Sequence, residues 1–323
     1  MSTKQSLILW LTFMLMGGSF ASAAERVSES IELAQTIPIA DVHMHVVDLS
    51  ASEHRAQMDR NRVSWGGGVG KAGTHGRSHD ELREALGSRY FFTLGQDEFT
   101  RVFYSTGAEG LVDPASVAFV EMFSAADQLL ERRLAYGFGE LHVDNSKTFS
   151  TYQFARRIPF DNPVLTQMYT LCERHRCVIQ IHMQADDENL AALSRYLRAF
   201  PNAKTVLSHA LPYSKQPLLR SLLAQHPNLF LELSRKGAVL NEKEAAQAFD
   251  AVRGPKGYWL STIEQFPDRF MLGSDTHAPD EYRYDDVMQE FRTALLPYLK
   301  PTTLKMVAHE NAVRVYGLEA PTR

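Results

Sequence analysis

Eight short apolar runs, separated by stretches with helical spacing, constrain this 323-residue chain more than any other feature. The runs lie at residues 37–42, 61–65, 89–94, 136–143, 178–182, 205–209, 228–233 and 269–275. Helical patterns fall at 50–60, 113–133, 162–175, 187–200, 217–225, 242–251, 257–265, 282–295 and 302–316, with a shorter one around Asp80-Glu81-Leu82-Arg83. Parallel neighbours in a sheet need a crossover, and a helix supplies it, so alternation of strand and helix predicts a parallel sheet. Eight repeats predict an α/β fold closed on itself: a distorted, TIM-like (β/α)8 barrel in one domain. Long loops are expected after strands one to four, at 46–80, 96–112 and 144–160. A hydrophobic content of 44% and a charged content of 22% are globular values. No linker, repeat or compositional break divides residues 24–323.

Local signals agree with these boundaries. Ser50 or Ser52 can cap the first long helix. Pro114 sits in the first turn of 113–133, where Val117, Val120, Phe123, Ala126, Leu129 and Leu130 share helical spacing. Pro163 opens a helix and Pro201 stops one. The cluster Gly66-Gly67-Gly68-Val69-Gly70 reads as a loop, a lid or a substrate-contacting segment. A phosphate cradle is the rival reading, but no Gly-Lys-Ser/Thr follows in the required spacing.

The N-terminus reads as a secretory signal, with Lys4, an apolar stretch at 7–16 and the small-x-small site Ala21-Ser22-Ala23. That stretch is short for a bilayer span and no cysteine follows it, so no stable membrane anchor is expected. The expected mature chain starts near Ala24 and is periplasmic or secreted. Removing Lys4 takes the formal net charge from −4 to −5. With no basic stripe or charged tail, the chain is a poor partner for nucleic acid or anionic lipid. The expected partner is a small-molecule substrate, and a homo-oligomer is compatible with the sequence. Cys172 and Cys177 can pair in an exported protein. The plainer reading is two small apolar packing residues, and metal binding with His175 between them fits less well than either.

The chemistry lies at the run ends. In Asp41-Val42-His43-Met44-His45 an extended chain points His43 and His45 the same way. Later runs end on His182, on His209 and on Asp275, and Glu140 stands near the end of the fourth. In a parallel barrel these ends open on one face, where active sites are built. Imidazole with carboxylate suits zinc, and also manganese or iron(II), better than calcium or magnesium. His43, His45, His182, Asp275 and Glu140 are the candidate metal ligands, for one or two ions. His209 is read as a ligand or a substrate contact, and Glu140 as a ligand, a bridge or a partner of Arg235. Arg235, Tyr213 and His277 are candidate substrate contacts; Arg235 suits a substrate carboxylate through a bidentate pair and reads equally as a surface salt bridge. His142 shares a strand face with Glu140. His54, His175, His226 and His309 read as ordinary surface or packing residues.

These motifs resemble the amidohydrolase superfamily, and most closely its amidohydrolase-related (family 2) branch, over residues 37–318. The resemblance rests on Asp41-Val42-His43-Met44-His45, Met58-Asp59-Arg60-Asn61-Arg62-Val63 and the 163–182 segment ending in Ile181-His182. It rests also on Leu207-Ser208-His209, Leu272-Gly273-Ser274-Asp275 and Glu310-Asn311-Ala312-Val313-Arg314-Val315-Tyr316-Gly317. It implies a distorted barrel with one or two divalent ions held by His43, His45, His182 and Asp275. Asp275 would also handle the proton of the attacking water, and His209 takes the strand-six histidine role. One departure stands out. Many binuclear members carry a carboxylated lysine at the end of strand four, where this chain has Glu140, as in members resembling TatD-type nucleases. The resemblance then implies a single ion, or a pair bridged by Glu140.

Together these readings predict an exported metal-dependent hydrolase that cleaves an amide, ester or lactone bond of a small molecule, with Asp275 and His209 catalytic. The alternative is a decarboxylase of a small aromatic acid, to which Arg235 lends support. A metal-holding protein without catalysis is the third reading.

Overall fold

Alternation within each strand decides which side chains line the interior. The computed structural model describes residues 25–46, 49–69, 79–147, 155–212, 214, 216–241, 246–277 and 281–321. The leader read at 1–23, Gly70 and Tyr213 lie outside the described residues. The strands are β1 (Ile39–Met44), β2 (Val63–Gly68), β3 (Tyr90–Phe91), β4 (Leu94–Gly95), β5 (Gly137–His142) and β6 (Val178–His182). They continue with β7 (Lys204–Leu207), β8 (Leu229–Glu232), β9 (Phe249–Asp250), β10 (Gly254–Pro255) and β11 (Phe270–Met271). In β6, Ile179 and Ile181 join the core beneath the helices, while Val178 joins a second core with Val206, Phe230 and Met271. The period of two thus separates an outer layer from a barrel interior.

All barrel pairings are parallel. One set runs β1-β2-β3, the other β4-β5-β6-β7-β8-β11. The ring closes where Asp41 bridges Leu272 in parallel, with Val42 N donating to Leu272 O at 3.0 Å. β3 and β4 are two halves of the expected third strand, parted by Phe92 and Thr93. Thr93 Oγ1 turns aside to donate to Gly139 O at 2.6 Å, so the strand splits. Counting that broken strand once gives the distorted (β/α)8 barrel. The C-terminal segment fills its base: Tyr316 packs among the interior residues and donates from Oη to Gln180 Oε1 at 2.9 Å.

The helices are α1 (Ser28–Thr36), α2 (Ala51–Arg60), α3 (His79–Leu86), α4 (Gln96–Gly110), α5 (Val117–Glu131) and α6 (Pro163–His175). The rest are α7 (Asp187–Ala199), α8 (Gln216–Gln225), α9 (Gly257–Gln265), α10 (Tyr284–Glu290) and α11 (Pro301–Lys305), with tighter or wider turns continuing the last two. Caps set several starts. Ser50 accepts from Glu53 N while Glu53 accepts from Ser50 N, and Asn162 and Asp186 cap α6 and α7. Among the described residues, no helix is long and apolar enough to cross a membrane.

Several expectations need correction. Residues 28–36, for which no helical pattern was read, form α1. The loop expected at 96–112 is α4, which buries Phe99 and Val102. Where a helix was expected at 242–251, the described part contains β9, antiparallel to β10. The first three residues of the glycine cluster belong to β2 rather than to a loop. Gly67, at φ 136°, lies where a side chain would strike the carbonyl of Phe91, so close strand approach is what requires glycine there. Cys172 and Cys177 form a disulfide between the end of α6 and the start of β6.

Candidate metal centre

The strand ends bring four histidines and three carboxylates into one buried cluster. His43 lies in β1 and His45 just beyond it, with ring centroids 5.2 Å apart. Glu140 comes from β5, His182 from β6, His209 from the turn after β7, and Asp275 from the segment after β11. His43 Nε2 lies 3.1 Å from Asp275 Oδ1 and 3.4 Å from Glu140 Oε2. His45 Nε2 is 2.9 Å from Asp275 Oδ1. Glu140 Oε1 lies 3.1 Å from His182 Nδ1 and 3.3 Å from His209 Nε2. The two Glu140 oxygens therefore face two overlapping groups, one with His43, His45 and Asp275 and one with His182 and His209.

The backbone is bent to achieve this. His209, Arg235 and Asp275 all adopt left-handed conformations, with φ of 54°, 50° and 51°. Such residues persist only where surrounding bonds over-determine them. Asp275 N donates to His43 O at 2.7 Å, and Asp41 Oδ1 accepts from both His43 N and Ser274 N. The first residue of the Asp-x-His-x-His motif is thus a clasp between the first and last strands. Gly273 permits the approach, because a Cβ there would stand 2.6 Å from both His43 Cβ and Glu232 Oε2.

Glu232, at the end of β8, escaped the sequence reading. Its carboxylate is fully buried and accepts from His43 Nδ1 at 2.9 Å and from His209 N at 2.6 Å. Ser234 Oγ donates to it at 2.9 Å and in turn accepts from His209 Nδ1 at 2.7 Å. These bonds place the ring protons of His43 and His209 on Nδ1 and turn the Nε2 lone pairs inward. The one available signal was a carboxylate at the inward position closing an apolar run.

Those lone pairs face carboxylate oxygens, which are also acceptors. His43 Nε2 is buried with no hydrogen-bond partner among the described residues. Acceptors this close require either a proton on the imidazole or a cation between them, and a carboxylate behind a ligand histidine is the usual support of a bound metal. The donor set therefore fits a divalent ion. Titration behaviour points the same way. Burial alone would raise the carboxyls of Glu140, Glu232 and Asp275, but neighbouring cationic groups outweigh it. His43 acts on Glu140 and Glu232, and Arg235 with His43 on Asp275, holding Glu140 and Asp275 well below the usual range and Glu232 below it. Burial would lower His43, but the same three carboxylates draw it well above its ordinary value. The site demands positive charge.

The proposed substrate contacts are placed differently. Arg235 is turned onto Asp275: Nε donates to Oδ2, and Nη2 to the Asp275 carbonyl at 3.1 Å. Its Nη2 also lies 3.0 Å from His277 Nε2, and His277 stands edge-on to His45. Arg235 thus supports Asp275, and its left-handed backbone is what swings it there. His142 Nε2 lies 3.1 Å from Glu140 Oε2, and burial pushes its imidazole down to about 4.

A closed parallel barrel with an imidazole–carboxylate cluster at its C-terminal mouth defines a metal-dependent enzyme. The profile of the Amidohydrolase family matches residues 40–318, and the chain belongs to that family. No curated protein matches it. Among solved structures it is similar to an amidohydrolase from Burkholderia multivorans with bound HEPES, at 17% identity and a TM-score of 0.50, covering 88% of this chain and 100% of that one. It is similar to an uncharacterized TIM-barrel protein from Bordetella bronchiseptica, at 15% identity and 0.50, covering 83% of each. A probable 2-pyrone-4,6-dicarboxylic acid hydrolase from Acinetobacter baumannii with citric acid bound gives 12% and 0.52, covering 87% and 100%. These likenesses concern the fold.

Proposed function

We propose that the protein hydrolyses an amide, ester or lactone bond of a small molecule at this centre. The observation that carries the reading is the inward-facing, unpartnered Nε2 of His43 between Asp275 and Glu140. His43, His45, Glu140 and Asp275 would hold a divalent ion, with His182 and His209 beside them on the other Glu140 oxygen. Zinc suits this nitrogen and carboxylate set best, with manganese and iron(II) as alternatives. When bound, the ion supplies Lewis-acid polarisation and a water acidic enough to attack near neutral pH.

The chain's own groups do the rest. Asp275, held ionised by Arg235 and the histidines, takes the proton of the attacking water and passes it to the leaving group. Arg235 fixes that carboxylate from behind. Ser234 and Glu232 fix the orientation of His209, whose Nε2 points into the centre. Buried walls exclude bulk water and strengthen each of these interactions.

Export from the cytoplasm is part of the proposal. It is supported by the leader-like N-terminus and by the disulfide, a bond that persists in oxidising compartments. The test is elemental analysis of the purified protein, followed by a panel of neutral and anionic esters, lactones and amides assayed for hydrolysis. Bound divalent metal with chelator-sensitive turnover supports the reading. Release of carbon dioxide without hydrolysis products would move the protein to the decarboxylases. N-terminal sequencing of the protein recovered from its native host tests export, a start near Ala24 being expected.

A further inference from the structure

Beyond the metal cluster, three side chains at the mouth carry buried polar atoms with no hydrogen-bond partner among the described residues. Arg156, on the segment after β5, is 6% exposed, and its Nε and Nη1 have no hydrogen-bond partner. Gln96, the first residue of α4 beyond β4, is 7% exposed with Oε1 unpaired. Gln184, two residues past the end of β6, is fully buried with both Oε1 and Nε2 unpaired. β4, β5 and β6 are consecutive in the sheet; Arg156 and Gln184 follow the two strands that supply Glu140 and His182, and Gln96 follows the strand beside them. Buried polar groups are nearly always paired, and leaving one unpaired is costly. Several on one side of one mouth point to a polar ligand that completes them.

Arg156 is built to stay in place. Its N donates to Asn145 Oδ1 at 2.7 Å, and Asn145 N donates to its carbonyl at 3.1 Å. Its guanidinium lies 4.3 Å from the centroid of Phe103 on α4. The ring holds the guanidinium on one side, and the N–H groups left over, on Nε and Nη1, are of the kind a carboxylate takes in a forked pair. The antiparallel bridge between Asp144 and Arg157 holds Arg156 beside the end of β5, the strand that carries Glu140. Burial pulls Arg156 down to about 10, which leaves it a cation at neutral pH. Arg235, by contrast, already has Asp275.

We propose that Arg156 anchors a carboxylate of the substrate away from the bond that is cleaved, with Gln96 and Gln184 hydrogen-bonding the ligand's remaining polar atoms. The substrate class is then a small carboxylic acid carrying a second, hydrolysable function. The inference rests on the hydrolase reading for the position of the reacting bond, but not for binding itself.

The test uses the metal-loaded protein and the straight-chain dicarboxylates from malonate to pimelate, each paired with its monoamide. Both members of a pair offer one carboxylate to the metal, and only the diacid offers a second to Arg156. Calorimetric titration should show at least one diacid binding roughly 10- to 100-fold more tightly than its monoamide, the effect of a hydrogen-bonded charge pair. Arg156→Met should erase that ratio, and Arg156→Lys should keep part of it. Equal binding of every pair by the unaltered protein overturns the proposal, as does an unchanged ratio in a folded Arg156→Met variant. If Arg156→Met does not fold, the pairs on the unaltered protein and on Arg156→Lys still decide. Hydrolysis of neutral esters with no diacid preference sinks the carboxylate subsite and leaves the hydrolase. A diacid preference without any hydrolysis does the reverse.

Discussion

Replacing Glu232 by glutamine asks how far the centre depends on the carboxylate behind His43. Oε1 of Glu232 accepts from His43 Nδ1, His209 N and Ser234 Oγ, and Oε2 accepts from Ser234 N at 2.7 Å. A glutamine has one acceptor oxygen. Two backbone N–H groups, on His209 and Ser234, approach different oxygens, so the amide nitrogen must face one of them. At least one buried N–H then loses its acceptor, which costs about 1–3 kcal/mol of stability. With the nitrogen at the Oε1 position, His43 Nδ1 also loses its acceptor, and the ring proton moves to the Nε2 that faces Glu140 and Asp275. Losing such a supporting partner lowers metal affinity roughly 10- to 100-fold, or about 1.4–2.8 kcal/mol. Chelator competition with zinc-loaded Glu232→Gln, beside its melting curve, measures both. A lower melting temperature with unaltered zinc affinity would make Glu232 a fold residue only and refute the argument.

Three further outcomes follow from other parts of the molecule. Asp275→Asn should lower turnover by at least about 100-fold while elemental analysis still finds most of the metal; near-full activity would remove Asp275 as the proton acceptor. The paired change Cys172→Ser with Cys177→Ser opens a crosslink of sequence separation 5 and should cost about 2 kcal/mol in urea unfolding, a null effect excluding a stabilising role. Burial, with Arg83 adding to it, pushes His79 down to about 4, below its unfolded value near 6.5. Its contribution is therefore complete above pH 6.5 and declines as the pH falls toward 4, by up to about 3 kcal/mol. Urea titrations from pH 7 to 4 should show this slope reduced in His79→Asn.

Much of the site was legible because a ligand at a strand end obeys local rules. The period of two puts His43 and His45 on one side, and apolar runs deliver His182, His209 and Asp275 to a common face. Glu232 was not legible. A carboxylate in Leu229-Phe230-Leu231-Glu232-Leu233 reads as an ordinary strand residue until the donors from His43 and His209 are brought to it by other strands. The partner of Arg235 was not legible for a related reason: its left-handed backbone is a tertiary outcome, and it decides that the guanidinium meets Asp275. The missed α4 shows packing overriding propensity. Thr100, Ser105, Thr106 and Gly107 argue against a helix, and Gly107 does kink it at φ 75°. Buried Phe99 and Val102 hold it nonetheless, with Glu98 reaching back to Gly95 N at 3.1 Å.

Charge balance also bears on how many ions the centre takes at rest. Glu140, Glu232 and Asp275 are the carboxylates that touch the imidazole nitrogens, and burial fails to neutralise any of them. Arg235 is bonded directly to one. Among the groups bonded to the histidines, three carboxylates against the Arg235 guanidinium leave two negative charges, which a single divalent ion cancels with every histidine neutral; the Arg156 cation only adds to the case against a second ion. A second ion beside His182 and His209 would leave a buried excess of two positive charges, and an uncompensated buried charge is strongly disfavoured. The split Glu140 oxygens can accommodate that second ion only if further anions arrive with it. Purified protein should therefore hold close to one equivalent of metal, with a second taken up only when a dicarboxylate is added. Two equivalents in the absence of any added anion would show that the charge count has missed a group.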